Sequence, residues 1–256
     1  MNDDYITLHV EDHVAWLTLH REPMNILNIQ MMKEIGQALE SVLQMEDNLN
    51  AFVIQAEGKV FSAGVAVEDH VGELAEPMIH AFHKIFHLLA KISCPTIGVV
   101  EGAAIGGGCE LATFCDITFV SENAKLGQPE INLGLFPPLS AAYFPWLMGY
   151  NKTMEMLLTG KNITAEEAQE IGLINKVVKP EEMKEELNNF LDNLKAKSRP
   201  ALRLTKKAVR RSMATSISST LSEVEQIYLW ELMTTEDAKE GLDSFMEKRE
   251  PEWVHS

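Results

Sequence analysis

The order of apolar and polar residues along the chain predicts strands and helices that alternate in the first part of the sequence. Residues 5–10 and 13–20 alternate apolar and polar side chains on either side of an acidic turn, a pattern typical of a β-hairpin. Apolar residues then recur at helical spacing from Met31 to Val42, and the apolar run of residues 51–56 indicates a buried strand. The chain therefore begins with the unit strand, strand, helix, strand.

A second round of elements follows this unit. Residues 77–92 have the pattern of an amphipathic helix, and residues 96–100 predict a strand. Residues 109–114 then predict a short helix, and residues 117–120 predict another strand. The repeated alternation indicates an α/β fold.

The last part of the sequence has a helical character. The helical pattern recurs near residues 153–158, 165–171, 181–194, 201–213 and 221–233. We place a boundary near residue 196, which divides a core of residues 1–195 from a helical C-terminal region of residues 196–256. No long linker separates them, so we expect the C-terminal helices to pack on the core or on a neighbouring subunit.

Composition and charge restrict the class of protein. A chain of 256 residues with 46% apolar composition is long enough for one domain with a sizeable core. No apolar run reaches the roughly 20 residues that a membrane span needs, and the N-terminus has no signal-peptide pattern, so we expect a cytoplasmic protein. The net charge of −16 disfavours binding to nucleic acid and anionic lipid. A phosphate-bearing ligand would therefore need a local cluster of basic side chains or backbone N–H groups.

The three cysteines give no sign of a disulfide framework or a metal site. Cys94, Cys109 and Cys115 are too few for such a framework, and their spacing matches neither a zinc site nor a redox pair. We expect buried thiols.

Two turns rich in small residues are candidates for binding an anionic or carbonyl oxygen. Residues 61–65 read Phe-Ser-Ala-Gly-Val, where a strand end meets small residues and leaves the Val65 N–H free to face a ligand. Residues 106–108 are three consecutive glycines between a predicted strand and the start of a predicted helix. Seen alone, such a run is equally typical of a tight turn that needs positive φ. Together, two N–H donors from separate loops suit an acyl thioester, whose oxygen gains negative charge during addition or proton removal.

Glu110 and Glu130 follow these turns and are candidate acid and base groups. Most glutamates lie on the surface, but apolar residues flank both of these. A buried carboxylate pair resists double ionisation, so one member keeps a proton while the other stays charged near neutral pH. Such a pair supplies an acid and a base for adding water.

Three segments, FSAGV, IGGGCELATFCD and KLGQPEINLG, match in order and spacing the signature segments of the crotonase (enoyl-CoA hydratase/isomerase) superfamily. The resemblance spans nearly the whole chain. It implies a core of repeated strand-strand-helix units with a helical C-terminal region, assembly into homo-trimers or pairs of trimers, and an acyl-CoA thioester as the substrate. The chemistry that it implies requires no metal or redox cofactor.

Carried over by position, the resemblance assigns roles to the two turns and the two carboxylates. The oxyanion donors fall on the N–H groups of Val65 and Gly107, and the catalytic acid and base fall on Glu110 and Glu130. Members of the superfamily that isomerise, dehalogenate or hydrolyse often lack one of these carboxylates. The presence of both favours hydration.

The resemblance also indicates residues that contact the substrate's CoA. Ala63 and Met24 fall on segments beside the thioester and the CoA. Phe245 and Lys248 lie in a segment that resembles the one reaching a neighbouring subunit's CoA, with Phe245 near the adenine and Lys248 near a phosphate. Lys248 would supply the local basic contact that the acidic chain needs.

A narrower resemblance is to the cyclohexa-1,5-diene-1-carbonyl-CoA hydratases. It rests on residues 67–70, on His80 and His83, and on residues 134–138. Two departures disfavour a straight-chain substrate: Ala66 stands where many members have Asp, and residues 136–140 replace a glycine-rich stretch. We hypothesise that the Pro137-Pro138 pair, with Phe136 and Phe144, forms a wall of the acyl pocket for a flat or cyclic group.

Several alternatives stay open at this stage. One alternative is a general short-chain enoyl-CoA hydratase/isomerase of fatty-acid β-oxidation, and another is a non-catalytic or RNA-binding protein with the same fold. A basic helix favours the RNA alternative, although a solvated helix face or a CoA phosphate contact explains it as well; its cations are Arg203, Lys206, Lys207, Arg210 and Arg211. His80, His83 and His87 share one helix face and resemble a zinc site, but their neighbours fit an ordinary amphipathic helix.

Overall fold

The computed structural model describes the backbone of residues 5–254 and the side chains of residues 5–211 and 220–254. Within this part of the chain, the strands are β1 (Ile6–Glu11), β2 (Val14–Leu19), β3 (Ala51–Ala56), β4 (Val60–Ser62), β5 (Thr96–Val100), β6 (Ala103–Ile105), β7 (Ile117–Ser121), β8 (Lys125–Gly127), β9 (Asn162–Thr164) and β10 (Lys176–Val178). The helices are α1 (Ile29–Met45), α2 (Ala75–Leu89), α3 (Gly107–Thr113), α4 (Pro138–Met148), α5 (Tyr150–Thr159), α6 (Ala165–Glu170), α7 (Met183–Lys195), α8 (Arg199–Gln226) and α9 (Glu236–Glu247). The α/β class predicted from the sequence is confirmed.

A six-stranded sheet forms the centre of the fold. Its strand order is β1-β2-β3-β5-β7-β10. Strands β1 and β2 form the predicted antiparallel hairpin, and every other pair in this sheet is parallel. Strand β3 is buried on both faces, since Phe52 packs in the cluster that includes Ile35 and Ile85, while Val53 packs in a second cluster with Leu187 of α7. This explains why residues 51–56 read as a continuous apolar run.

A second sheet of four short strands has the order β4-β6-β8-β9 and positions the candidate site. Strands β4, β6 and β8 run parallel, so their carboxyl ends lie at one edge of the sheet. The segments that leave this edge carry Val65 after β4, Gly107 and Glu110 after β6, and Glu130 after β8. Residues far apart in the chain therefore meet beside this edge.

The C-terminal region differs from its prediction in two respects. Helix α9 (Glu236–Glu247) was not predicted, since the expected helical segments end at residue 233. Residues 201–213 and 221–233 were expected to form two helices, but the backbone continues as the single helix α8, followed by a π-helical turn at Ile227–Glu231. The serines and threonines between the two segments have a lower helix propensity than alanine or leucine, so the sequence pattern did not predict a continuous helix there. The division near residue 196 falls in the short connection between α7 and α8 and stays a prediction.

Candidate active site

A cavity of about 170 Å³ lies where the segments after β4, β6 and β8 meet helices α2 and α9 and the π-helical turn after α8. Most of its lining is apolar. Four of the described lining residues carry ionisable side chains: His70, Glu110, Glu130 and Tyr228. The cavity thus combines an apolar wall with a few polar groups, which is typical of a small-molecule site.

The turn after β4 places Val65 at this cavity. Val65 forms an isolated parallel bridge with Leu27, in which the Leu27 N–H donates to the Gly64 carbonyl (2.9 Å) and the Ala66 N–H donates to the Leu27 carbonyl (3.0 Å). In this pattern the N–H of Val65 itself points away from Leu27, and Val65 lines the cavity. Gly64 has φ of +103°, a conformation that a residue with a Cβ rarely adopts. The predicted strand-end turn is therefore present.

The glycine run after β6 packs directly against this turn. Gly107 is the first residue of α3, so its N–H has no partner within the helix. A Cβ atom added to Gly64 would lie 3.6 Å from the Gly107 nitrogen, and one added to Gly107 would lie 2.8 Å from Val65 Cγ2. Glycine is thus required here by close approach of the two loops. The structure brings Val65 and Gly107 together, and their oxyanion role stays a prediction.

Both glutamates border the cavity in an environment that raises their pKa values. Glu110 is only 2% exposed, and its Oε1 accepts a hydrogen bond from the Ser140 N–H at 2.7 Å. Burial raises the pKa of Glu110 to about 7, although hydrogen bonds from Ser140 oppose the rise. Burial, with the charge of Glu110 as the second cause, raises the pKa of Glu130 to about 8. The predicted convergence of two carboxylates is found.

A buried polar bridge that sequence reasoning missed connects the two glutamates. When its amide nitrogen faces Glu130, Gln128 donates to both carboxylate oxygens at 3.1 Å and accepts from Ser140 Oγ at 2.8 Å. Ser140 lies in the first turn of α4, where its backbone N–H is free to donate to Glu110. Gln128 stands just before Pro129-Glu130, but nothing in the sequence indicated that Ser140 would be its partner. The bridge holds the carboxylates in fixed orientations.

Two further cavity residues were missed as members of the site. His70 was noted only for its family resemblance; its Nδ1 donates to the Ala66 carbonyl at 2.9 Å, and burial lowers its pKa. Tyr228 lies in the π-helical turn, is 2% exposed, and packs edge-on against Phe136 with ring centroids 5.5 Å apart. Burial raises the pKa of its hydroxyl, and the charges of Glu130 and Glu110 add to the rise. Helical periodicity predicted a helix around Tyr228 but not the direction of its side chain.

The remaining candidate residues separate into those at the cavity and those away from it. Ala63, Phe136, Pro137 and Phe245 line it. Phe144, expected in the acyl wall, is instead fully buried in the core and does not line the cavity, so that part of the hypothesis is wrong. The ring of Tyr228 lies beside Phe136, in the place where the ring of Phe144 was expected.

The residues assigned to CoA lie at or beyond the cavity mouth. Phe245 lines the cavity of its own chain and is half exposed, whereas its expected contact with a neighbour's CoA stays a prediction. Met24 is exposed, and its carbonyl accepts from the Ala63 N–H at 2.9 Å. Lys248 is exposed and ends α9 with φ of +56°. Neither Met24 nor Lys248 lines the cavity.

The basic helix has mostly internal partners. Lys206 and Arg210 both pair with Asp116, at 2.6 and 2.8 Å, and Arg203 pairs with Asp47 at 2.6 Å. These ion pairs fasten α8 to the core. They leave fewer cations for an external polyanion than the sequence indicated, which weakens the RNA alternative.

The histidine face of α2 contacts a carboxylate that the sequence did not place there. His83 Nδ1 lies 2.5 Å from Glu225 of α8, and His80 Nε2 lies 3.3 Å from it.

Among the described residues, no group of three or more His, Cys, Asp or Glu side chains is arranged to hold a metal ion. Over that same part of the chain, no helix is both long enough and apolar enough to cross a bilayer. The three cysteines are free and buried, as expected.

Comparison with known proteins identifies the family. The model of the enoyl-CoA hydratase/isomerase family matches residues 9–256. The chain belongs to this family. It is accordingly an enzyme of the hydratase type, a lyase, with an acyl-CoA thioester as its class of substrate.

Individual members of the family give the same picture. The chain is 35% identical to a crotonyl-CoA hydratase of Syntrophomonas wolfei, covering 97% of each chain. It is 33% identical to a cyclohexa-1,5-dienecarbonyl-CoA hydratase of Thauera aromatica, over 93% of this chain and 91% of the relative. The fold matches the crystal structure of an enoyl-CoA hydratase from Mycobacterium avium subsp. paratuberculosis, with a TM-score of 0.87, 24% identity and 98% of each chain covered. These similarities confirm the crotonase fold predicted from the three sequence segments.

Proposed function

We propose that this enzyme adds water across a double bond of cyclohexa-1,5-diene-1-carbonyl-CoA, with Glu110 and Glu130 as the acid/base pair. The observation that carries the proposal is the convergence of the buried Glu110 and the partly buried Glu130 in one cavity with the Val65 and Gly107 turns. A carboxylate pair and two backbone donors are the groups that addition of water to an unsaturated thioester requires.

The thioester oxygen binds at the N–H groups of Val65 and Gly107. Attack of water on the conjugated double bond moves negative charge onto this oxygen, and the two donors stabilise the resulting enolate. One such donor is typically worth about 2.7–4 kcal/mol of transition-state stabilisation. Since the donors belong to the backbone, side-chain substitution affects them only by moving the loops.

The glutamate pair moves the protons. With both pKa values raised toward or above neutrality, the pair holds one proton near pH 7. The charged member takes a proton from water as the oxygen bonds to the substrate carbon, and the neutral member delivers its proton to the carbanionic carbon as the enolate collapses. Atoms balance as the addition of one water, and no metal or redox cofactor takes part in this scheme.

The shape of the cavity supports a compact, flat acyl group. Its volume of about 170 Å³ is bordered by the rings of Phe136 and Tyr228 and by Pro137. Aromatic rings and proline present flat apolar surfaces that suit a carbocycle. In a cyclic dienoyl thioester the enolate is conjugated, so addition at the far end of the diene is also open. A relative with this substrate in its name lends further support.

A general short-chain hydratase is the second candidate, because the relative named as a crotonyl-CoA hydratase is equally similar. The test is to follow the ultraviolet absorbance of crotonyl-CoA and cyclohexa-1,5-diene-1-carbonyl-CoA in parallel with the purified protein. We expect a higher kcat/KM for the cyclic diene. A higher kcat/KM for crotonyl-CoA would make the protein a general hydratase, and no reaction with either would contradict hydration.

The assembly and compartment belong to the same proposal. We expect a trimer or a pair of trimers in the cytoplasm, on the resemblance to the crotonase superfamily. Light scattering of the purified protein measures the assembly, and a monomer at micromolar concentration would contradict it.

A further inference from the structure

The cavity of the proposed active site is separated from a second, larger space by a thin wall. A groove of about 530 Å³ lies beside it and is lined by Ile131, Leu232 and Trp253 among others. Leu135 and Phe136 line both the cavity and the groove. The two spaces are therefore adjacent and share these two residues as a boundary.

An aromatic pair forms the centre of this wall. The rings of Phe136 and Tyr228 meet edge to face, with an interplanar angle of 86° and centroids 5.5 Å apart. This is a favourable arrangement for two aromatic rings. Tyr228 lines the cavity, whereas Leu232, four residues later, lines the groove. The end of α8 and the turn that follows it thus run along the boundary.

Tyr228 is held in place by the contact between α8 and α2. Glu225, three residues before Tyr228, accepts the short hydrogen bond from the buried His83 and lies 3.3 Å from His80. Charge-assisted contacts of this kind are stronger than neutral ones. Because α2 also supplies Phe82 to the cavity lining, the contact fixes Tyr228 relative to the opposite side of the cavity.

Phe136 is held from the other side by direct packing of its loop on α9. A Cβ atom added to Gly241 would lie 2.1 Å from the Leu133 carbonyl oxygen, and one added to Gly134 would lie 2.8 Å from the Asp237 carbonyl oxygen. These backbones approach too closely for any side chain to separate them. Both halves of the wall are consequently fixed, in keeping with a rigid boundary.

We propose that the Phe136–Tyr228 pair determines specificity by closing the cavity against the groove, so that short or monocyclic acyl groups fit and longer linear chains are excluded. The inference rests on the proposed function and adds the limit on acyl size. Removing either ring joins the two spaces and gives a linear chain room to extend along the apolar groove. The Tyr228 hydroxyl is not needed for this limit.

The experiment compares kcat/KM for octenoyl-CoA with that for crotonyl-CoA in the wild type, Tyr228→Ala, Phe136→Ala and Tyr228→Phe. We expect the octenoyl-to-crotonyl ratio to rise about tenfold or more in both alanine variants, since several buried methylene groups gain apolar contact. Tyr228→Phe keeps the ring and should keep the wild-type ratio. Trp230→Ala, on the exposed side of the same turn, is the matched control and should also leave the ratio unchanged.

An unchanged ratio in both alanine variants would overturn the proposal, as would a raised ratio in Tyr228→Phe. If the alanine variants do not fold, Tyr228→Leu and Phe136→Leu take their place. Calorimetric binding of butyryl-CoA and octanoyl-CoA gives a readout that is independent of turnover. If the wild type hydrates no substrate, the proposed function fails, and this binding ratio still decides whether the wall limits acyl size.

Discussion

The two sides of the cavity are built in different ways. One side consists of the segments after β4, β6 and β8, whose contribution is backbone N–H groups and two carboxylates held by short contacts between loops. The other side consists of the rings of Tyr228 and Phe245 from the C-terminal region, together with Phe136 of the loop that packs on α9. The loop side is suited to the chemical step that all substrates share, whereas the helical side is suited to selecting among acyl groups. Substitutions on the two sides should therefore affect different kinetic constants.

The largest effect is expected from the carboxylates on the loop side. Glu110→Gln and Glu130→Gln each keep the shape of the side chain but cannot exchange the proton, so we expect kcat to fall by about 10²–10⁴ for every substrate. Steady-state absorbance assays measure this. Glu185→Gln, on an exposed position of α7, is the control and should retain full activity. A loss confined to one acyl-CoA would show that the carboxylates select substrates instead.

A somewhat smaller effect is expected from the glycine contact on the same side. In Gly107→Ala the new Cβ would lie 2.8 Å from Val65 Cγ2 and 2.9 Å from Phe82 Cζ, so the two turns must separate. Loss of one oxyanion donor costs about 2.7–4 kcal/mol, so we expect kcat/KM to fall by about 10²–10³.

Gly36→Ala is the matched control for this substitution. It adds a Cβ in the helix α1, 4.0 Å from its nearest neighbour, and should preserve activity while stabilising the fold slightly. Equal activity of the two alanine variants would contradict the assigned oxyanion donors.

The pH dependence of the free energy of unfolding should also report the raised pKa of the carboxylates. In the folded protein the pKa of Glu130 is raised to about 8 from an ordinary value of 4.5, so the folded state binds more protons than the unfolded state between these values. The free energy of unfolding of the protein should therefore decrease as the pH rises through this interval. Glu130→Gln removes the ionisation, so its stability relative to the wild type should be greater at about pH 8 than at about pH 5. Urea unfolding at both pH values measures the difference, and a constant difference would show that the folded protein does not raise the pKa of Glu130.

The smallest effect is expected at the mouth of the site. Lys248→Gln removes an exposed charge assigned to a CoA phosphate, and exposed ion pairs contribute roughly 0.2–1 kcal/mol. We expect KM to rise about two- to fivefold at low salt and the difference to disappear at high salt, with kcat unchanged. A KM that is unaffected at low salt would remove Lys248 from the CoA site.

The loop side was largely predictable from the sequence, and the helical side was not. The close approach of the loops demands glycine at positions 64 and 106–108, so the glycine pattern carries the information. Glu110 and Glu130 were recognisable because apolar residues flank both. The hairpin and strands β3 and β5 were predicted for a similar reason, since burial of one or both faces leaves a clear periodicity. Strands of three residues, such as β8 and β9, are too short to show a periodicity of apolar and polar residues, so the division into two sheets was not predicted.

The helical side depends on contacts between residues far apart in the chain. The pairing of Phe136 with Tyr228, and of His83 with Glu225, joins positions separated by about ninety residues or more, which no local pattern encodes. Phe144 was wrongly placed in the acyl wall because its aromatic character fits a core position equally well. Gln128 and Ser140 were missed because a buried polar bridge is recognised only when both partners are in view.

The most direct test of the central claim is to determine whether the enzyme adds water rather than shifting a double bond. Crotonyl-CoA and cyclohexa-1,5-diene-1-carbonyl-CoA would be incubated with the protein in ¹⁸O-labelled water and the products analysed by mass spectrometry, with Glu110→Gln and Glu130→Gln alongside. We predict a product heavier by one labelled water from the wild type and almost none from either variant. A product of unchanged mass with a displaced double bond would contradict hydration and make the protein an isomerase.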